Sequence, residues 1–462
     1  MLFNSVPFLF LFLPLVLLGF FALRRQGHRV AFVVAASYVF YAYEEWWFPV
    51  LMVTTTVVSF AGGLIVERLP RGGSRGWVLA GAIAGCLSLL GVFKYAAFAS
   101  RSVSGLVATV TGTGLPGFEQ LTAGILLPAG ISFYTFEAIS YLVDVHRGTI
   151  SAERNPLRYA FFISYFPHLI AGPIVRYAKL GPQLRELYRF DWELMRSGML
   201  LFSVGLAKKV LLADGLAFRA NPLLDNPGSL GLLDGWAAMF AYSFQIYFDF
   251  SAYTDMALGL ARMMGIELPW NFDRPYRAAS PVEFWRRWHV TLSSWLRDYL
   301  YIPLGGNRKG LLRRDANILA TMGLGGLWHG ASVSFVLWGL YHGGLLVGHR
   351  RASALSVRLP RVAAVALTFV LVTIGWVFFR ETTPAGVGNM LGAIGGLNGL
   401  GQPTQTLAPY LLVSGGLMWG VPEEWRWRMS EWGAARVTAV AVLTVFAIIS
   451  IETSHKFIYF QF

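Results

Sequence analysis

The chain has 462 residues, of which 55% are apolar and only 14% charged, with a mean hydropathy of +0.53. Soluble domains carry about 25% charged residues, so a soluble enzyme, a disordered chain and a secreted disulfide scaffold are excluded, and a polytopic membrane protein remains. Lys and Arg number 38 against 25 Asp and Glu, an excess that reads as basic inner loops meeting anionic lipid. No basic run with interleaved aromatics forms a nucleic-acid module, and no nucleic-acid partner is expected. The single cysteine, Cys86, leaves neither a disulfide nor a cysteine metal cluster to build and reads as a small core residue.

In chain order, the apolar stretch Phe3 to Leu23 lacks a basic n-region and is followed by Arg24, Arg25 and Arg29. It is expected to be a first span with an outer N-terminus, not a cleaved leader. Further runs cover 30–43, 46–66, 77–99 and 121–143. Loops 24–29 and 67–76 are arginine-rich, the intervening turn holds Glu44 and Glu45, and 144–158 carries Arg147, Arg154 and Arg158. This alternation supports the orientation, with the Gly/Thr-rich stretch 100–120 as an outer loop. The segment 159–175 is apolar but interrupted by Pro167 and Ala171-Gly172-Pro173, the pattern of a re-entrant or interfacial piece. Later runs cover 196–213, 230–262, 317–348, 362–379, 406–421 and 434–451. The run 230–262 exceeds the roughly 20 residues one upright span needs. Ten or eleven spans are expected in one all-α membrane domain, with no internal repeat.

Ionisable groups within membrane runs are costly and mark function by default. His329 lies in Gly325-Gly326-Leu327-Trp328-His329-Gly330, inside an apolar stretch from Asp315 to Arg350 too long for one span. A half-length helix to about Leu327, a break, and a full helix from Ala331 fit that length. His329 then has two readings: a neutral base able to take a proton from a hydroxyl, or a buried histidine bonded to a neighbouring helix. His289 follows Ser280-Pro281-Val282-Glu283, a well-formed helix start. Aromatic and aliphatic residues recur at helical period through Tyr299, so 281–303 is expected to be one amphipathic interfacial helix. His289 either points into the protein or snorkels at the interface. Gln245 and Asp249 share one face of the long run, as do Ser251 and Asp255. The two carboxylates diverge too far to share a proton; each either has an ordering role, holding neighbouring helices or orienting a histidine, or takes part directly in proton transfer, and the ordering role is preferred. No metal-ligand spacing and no phosphate-binding glycine loop is present.

Several of these segments resemble the membrane-bound O-acyltransferase family: Gln245 to Met256, Trp270 to Tyr276, Phe284 to His289, Trp295 to Arg308 and Gly326-Leu-Trp-His329-Gly, with Pro167 to Ile174 and Phe457 to Phe462 in support. The likeness is strongest to the bacterial branch that acetylates exported polysaccharides. It implies a helical bundle around a central funnel, with 1–143 and 351–462 as flanking spans and 144–350 as the catalytic core. It also implies His329 as general base or transient acyl carrier, with His289 assisting. Asp249, Asp255 and Gln245 would form a supporting polar network. Arg286, Arg287, Arg297 and Asn307 would meet the donor, or the arginines would instead anchor lipid. No tightly bound cofactor is implied; the acyl donor would be a cytoplasmic thioester, acetyl-CoA. The partner would be a periplasmic acetyltransferase subunit of the SGNH type, the location a bacterial inner membrane, and the glycan alginate. Peptidoglycan or cellulose acetylation, transport, and a scaffold for a periplasmic enzyme are the competing readings.

Overall fold

The computed structural model describes residues 1–186, 189–354, 359–402, 405–421 and 429–451. Among them all regular structure is helical, as the composition predicts. Phe457 to Phe462, one of the segments carrying the family likeness, lies outside the described residues. Among the described residues three helices are individually long and apolar enough to cross a bilayer: Phe48–Arg68, the continuous 73–111 segment and Arg361–Arg380. The chain divides into two compact units, 1–190 with 264–268, and 191–263 with 269–462.

In the first unit, Gln26–Ala42, Phe48–Arg68 and Ile131–Arg147 supply the buried faces. Phe3, Phe8, Phe12, Phe40 and Phe166 pack as one aromatic cluster, which buries the N-terminal turn. The segment 156–169 is broken into Pro156–Ser164 and Phe166–Leu169, interrupted where its prolines predict. Three expectations need correction. Phe8–Ala22 is only 15 residues long, about 22 Å at 1.5 Å per residue. Residues 100–111 are the end of a helix rather than a loop, because their small and aliphatic side chains tolerate helix once Gly112 takes the left-handed stop. The expected span 121–143 begins only at Ile131, because Pro128 and the left-handed Gly130 end the preceding turn.

In the second unit the organising element is Leu232–Met263, 32 residues and about 48 Å long. Almost every side chain from Ala238 onward is buried, so it is an all-round core helix. Trp192–Ala207 lies directly along it: a Cβ on Gly198 would come within 2.7 Å of the Gly259 carbonyl, and one on Gly259 within 2.7 Å of the Gly198 carbonyl. These paired glycines let the backbones touch. Trp192–Ala207 continues through a π-helical turn, Lys208–Ala213, into Asp214–Leu224. Gly310–His329, Val333–Ala354 and Arg361–Arg380 complete the surround of the site.

Candidate active site

His329 is placed by a glycine crossing. A Cβ on Gly326 would fall 2.0 Å from the Phe335 carbonyl, and one on Gly339 2.1 Å from the Met322 carbonyl. Gly310–His329 and Val333–Ala354 can therefore pack backbone to backbone only because both positions lack side chains. The first of these helices runs a full 20 residues from Gly310, not half a span, and His329 is its last residue. The break falls at 330–332, where the extended Gly330 leads into a turn closed by Ser332 N–H donating to the Gly330 carbonyl. His329 is 5% exposed. Its walls are Trp328, Trp338 and Phe379, with ring centroids 4.9, 5.0 and 5.4 Å away, each near edge-on.

His289 comes from a second irregularity. Ser280 Oγ accepts the Glu283 N–H, and the Glu283 carboxylate reaches back to the Ala279 N–H, so the helix start is formed as its sequence predicts. The single helix expected over 281–303 is not. Pro281–Arg287 stops, Trp288 is extended, His289 takes φ +43°, and Val290–Leu296 begins anew before the π-helical turn Arg297–Tyr301. A left-handed histidine is uncommon, and here backbone pairing to a neighbouring strand-like segment enforces it: Val290 N–H donates to the Asn271 carbonyl and Asp273 N–H to the Arg287 carbonyl. That segment is in turn fixed to the core helix by Tyr276, whose hydroxyl donates to the Ser243 carbonyl and accepts from Trp376 Nε1.

The kink turns His289 fully inward. Its Nδ1 lies 3.0 Å from Asn271 Oδ1, and the same oxygen accepts the Thr291 hydroxyl at 2.9 Å and its N–H at 3.3 Å. Because the backbone N–H identifies the acceptor as oxygen, His289 Nδ1 carries the proton and Nε2 is the basic atom. Burial lowers the pKa of this imidazole to about 3, so the ring is neutral at physiological pH. Phe250 meets it edge-on at 4.7 Å.

The two imidazoles meet: the His289 and His329 ring centroids are 6.5 Å apart, although 40 residues separate them in sequence. A third histidine, His342, is fully buried nearby, at 4.9 Å from Trp338 and stacked on Phe284 at 6.2 Å. A Cβ on Gly375 would stand 2.7 Å from its Nε2. Sequence reasoning passed over His342, yet it occupies the same apolar run as His329 and satisfies the same rule for intramembrane polar groups.

The carboxylates of the core helix serve a different arrangement. Asp249 is 2.9 Å from Lys209 Nζ, which also meets Asp214 at 2.7 Å, and Asp255 is 2.7 Å from Lys208 Nζ. Lys209, Asp214, Asp249 and Asp255 are all at most 5% exposed. These carboxylates are ion-paired to lysines of the neighbouring helical segment, while the hydrogen-bond partner of His289 is Asn271. Gln245 is buried one turn before Asp249. Lys208 and Lys209 were legible as two cations inside the run 196–213, and Asn271 gave no signal of its own.

The positions expected to face a donor have separate settings. Arg287 pairs with Glu283 at 2.8 Å, Arg297 with its neighbour Asp298 at 2.7 Å, Asn307 accepts the Tyr301 hydroxyl, and Arg286 is exposed. Glu283 has its pKa lowered overall: partial burial works to raise it, but the Ala279 N–H and the charge of Arg287 outweigh that.

Comparison with known proteins shows the family of the chain. The family model described as "MBOAT, membrane-bound O-acyltransferase family" matches residues 150–381, which contain every residue placed at the site above. The chain is 44% identical over 404 residues to a probable alginate O-acetylase AlgI of Pseudomonas syringae pv. tomato, covering 85% of this chain and 75% of that protein. It is 45% identical over 392 residues to the probable alginate O-acetylase AlgI of Pseudomonas aeruginosa, covering 82% and 72%. It is also 37% identical over 435 residues to a peptidoglycan O-acetyltransferase of Helicobacter pylori, covering 87% and 81%.

Proposed function

Because the chain belongs to the membrane-bound O-acyltransferase family and is an acyltransferase, we propose that it is the membrane subunit of an O-acetylation system for an exported polysaccharide, alginate. It takes acetyl from a cytoplasmic thioester, acetyl-CoA, and passes it across a bacterial inner membrane, its N-terminus on the periplasmic side. A periplasmic acetyltransferase of the SGNH type then completes transfer to the glycan.

The observation that carries this reading is the buried pairing of His289 and His329 with ring centroids 6.5 Å apart. Hydrogen bonds of about 3 Å from each ring can meet at one reacting group between them. His329 takes the proton of the acceptor hydroxyl as its oxygen attacks the thioester carbonyl. The C–O bond forms, the C–S bond breaks, and the proton passes to the departing thiolate. His289, neutral with Nδ1–H held by Asn271, positions the reacting group. Trp328, Trp338, Phe250 and Phe379 exclude water, which would otherwise hydrolyse the thioester. Arg286, Arg287, Arg297 and Asn307 flank the donor's approach, and Gln245, Asp249 and Asp255 support the polar interior. The helix-break and paired-histidine geometry favours chemistry over transport or scaffolding.

The test uses purified protein in lipid, radiolabelled acetyl-CoA and an alginate acceptor with the periplasmic partner. His329→Ala abolishes label transfer while the melting profile is kept. Undiminished transfer in that variant refutes the assignment. The 37% identity to a peptidoglycan O-acetyltransferase over 435 residues supports peptidoglycan as the second reading. Label appearing on peptidoglycan but not on alginate selects it.

A further inference from the structure

Away from the paired histidines, the second unit holds a pocket of about 610 Å³ lined by four arginines, Arg274, Arg277, Arg287 and Arg361. The rest of the lining is apolar and includes Val362, Val365 and Phe369 on the first turns of Arg361–Arg380, with Trp419. Among the described residues the ion-pair partners of these arginines are Asp273 and Glu283. Four cations against two carboxylates leave two positive charges in excess. The N-terminus of a 20-residue helix opens on the same space and adds its partial positive charge. Such a pocket demands an anion with several acceptor oxygens, and the forked guanidinium geometry matches phosphate.

The turn that carries two of these arginines is held in place at a cost. Arg274 has φ +44°, a left-handed backbone that a long side chain rarely adopts. Arg277 donates to the Trp419 carbonyl at 2.6 Å and Trp419 Nε1 donates to the Tyr276 carbonyl at 3.2 Å, which pins the turn to the end of Ala408–Gly420. Arg274 is shared: it also lines a second cavity of about 460 Å³, whose walls include Val204, Leu211, Met418, Val440 and Leu443. That volume is within the range of sites for small ligands. A cationic pocket and an apolar cavity thus adjoin at one strained arginine, the layout of a polar head beside a hydrocarbon chain. The sequence before this helix carries Arg350, Arg351 and Arg358, and Arg361 begins it, which places this end by charge at the inner leaflet, where anionic lipids reside.

We propose that the arginine pocket holds the phosphate of an anionic phospholipid, whose acyl chain occupies the adjoining apolar cavity. The site rests on the membrane character of the chain and not on the acyl-transfer reading.

The test is native mass spectrometry of the full chain titrated with phosphatidylglycerol, phosphatidylcholine or ADP. Wild type retains phosphatidylglycerol at least tenfold more tightly than R277Q/R361Q, and more tightly than it retains phosphatidylcholine. R277K/R361K, which keeps the charge, recovers part of the loss and serves with a melting profile to separate binding from folding. Equal retention of phosphatidylglycerol by wild type and R277Q/R361Q overturns the proposal. So does arginine-dependent binding of ADP without phosphatidylglycerol, which would make the pocket one for a soluble phosphate. The His329→Ala variant retains phosphatidylglycerol like wild type, so loss of acetyl transfer and loss of lipid binding are read independently.

Discussion

Asn271 is the residue through which the histidine pair can be perturbed without touching either imidazole. Its Oδ1 accepts three hydrogen bonds, from His289 Nδ1, the Thr291 hydroxyl and the Thr291 N–H, and Asn271 and His289 are both fully buried. Asn271→Ala strands those donors; each buried unsatisfied group costs about 1–3 kcal/mol, and the imidazole loses the partner that fixes its tautomer. We expect acetyl transfer to fall at least tenfold, about 1.4 kcal/mol on the barrier. Asn271→Asp is the sharper probe. It keeps an acceptor in place but sets a negative charge 3.0 Å from Nδ1. At an effective dielectric of about 20 such a pair interacts by about 5 kcal/mol, a gain of three to four powers of ten in proton affinity. The wild-type ring, its pKa lowered to about 3 by burial, stays neutral throughout the working range. In Asn271→Asp its protonation moves up toward neutrality, and an acid limb enters the pH–rate profile of thioester turnover between about pH 5 and 7. The assay is release of free CoA followed from pH 5 to 8 for wild type and both variants. A superimposable profile for Asn271→Asp, with Asn271→Ala fully active, would refute both the tautomer assignment and the role given to His289.

Lys209→Met leaves Asp214 and Asp249 buried without their shared cation; removing one member of such a cluster costs about 3–5 kcal/mol, read as a lowered melting temperature in detergent. Adding Asp214→Asn and Asp249→Asn restores most of that loss, and a Lys209→Met variant as stable as wild type would contradict the pairing. Gly326→Ala drives a methyl group to within 2.0 Å of the Phe335 carbonyl, so the helix pair must part; activity falls with stability, whereas Ala at Gly344, which meets nothing within 4 Å, leaves both unchanged. Acid stability follows from His289: its folded pKa is depressed to about 3 from 6.5, so its stability is complete above pH 6.5 and is lost as pH falls toward 3. The slope is up to about 1.4 kcal/mol per pH unit, and His289→Gln, compared with wild type in melts between pH 4 and 7, shows a shallower decline.

The helical class and the most informative histidines were legible because each rests on a local rule. Low charge fixes the solvent, and an ionisable group inside an apolar run is conspicuous wherever it occurs. His329 stood out for that reason, and its helix break was visible in the glycines around it. Its position within the helix was less so: the glycines that look like breakers at 323, 325 and 326 sit inside a continuous helix, where Gly326 must be bare against the Phe335 carbonyl and Gly323 and Gly325 meet the side chains of Leu340 and Leu296. Periodicity misjudged 281–303 for the converse reason. The apolar spacing there is helical on both sides of His289, and only tertiary pairing with 271–273 imposes the left-handed kink. Asn271 and Arg274 lay within the family-like segment Trp270 to Tyr276, but the contacts they make from that short loop were illegible, since His289, Arg287 and Arg361 are distant from them in sequence.

That loop explains why the unit handles its polar groups in two opposite ways. Lys208 and Lys209 keep their charges by pairing with Asp255, Asp249 and Asp214, so their cost of burial is met by Coulomb attraction at fixed distances. His289 is accommodated by neutrality, with a single amide oxygen selecting its tautomer. A paired charge is a poor base, because giving up or taking a proton destroys the pairing that tolerates it. A neutral buried imidazole carries no such debt and can exchange a proton with whatever enters beside it. The 269–277 stretch keeps the two regimes apart: Asn271 faces the histidine, Tyr276 locks to the core helix through the Ser243 carbonyl, and Arg274 and Arg277 are displayed at the arginine pocket. Under the proposed function the proton chemistry falls to the histidines, and the ion-paired aspartates of the long helix hold the structure around them.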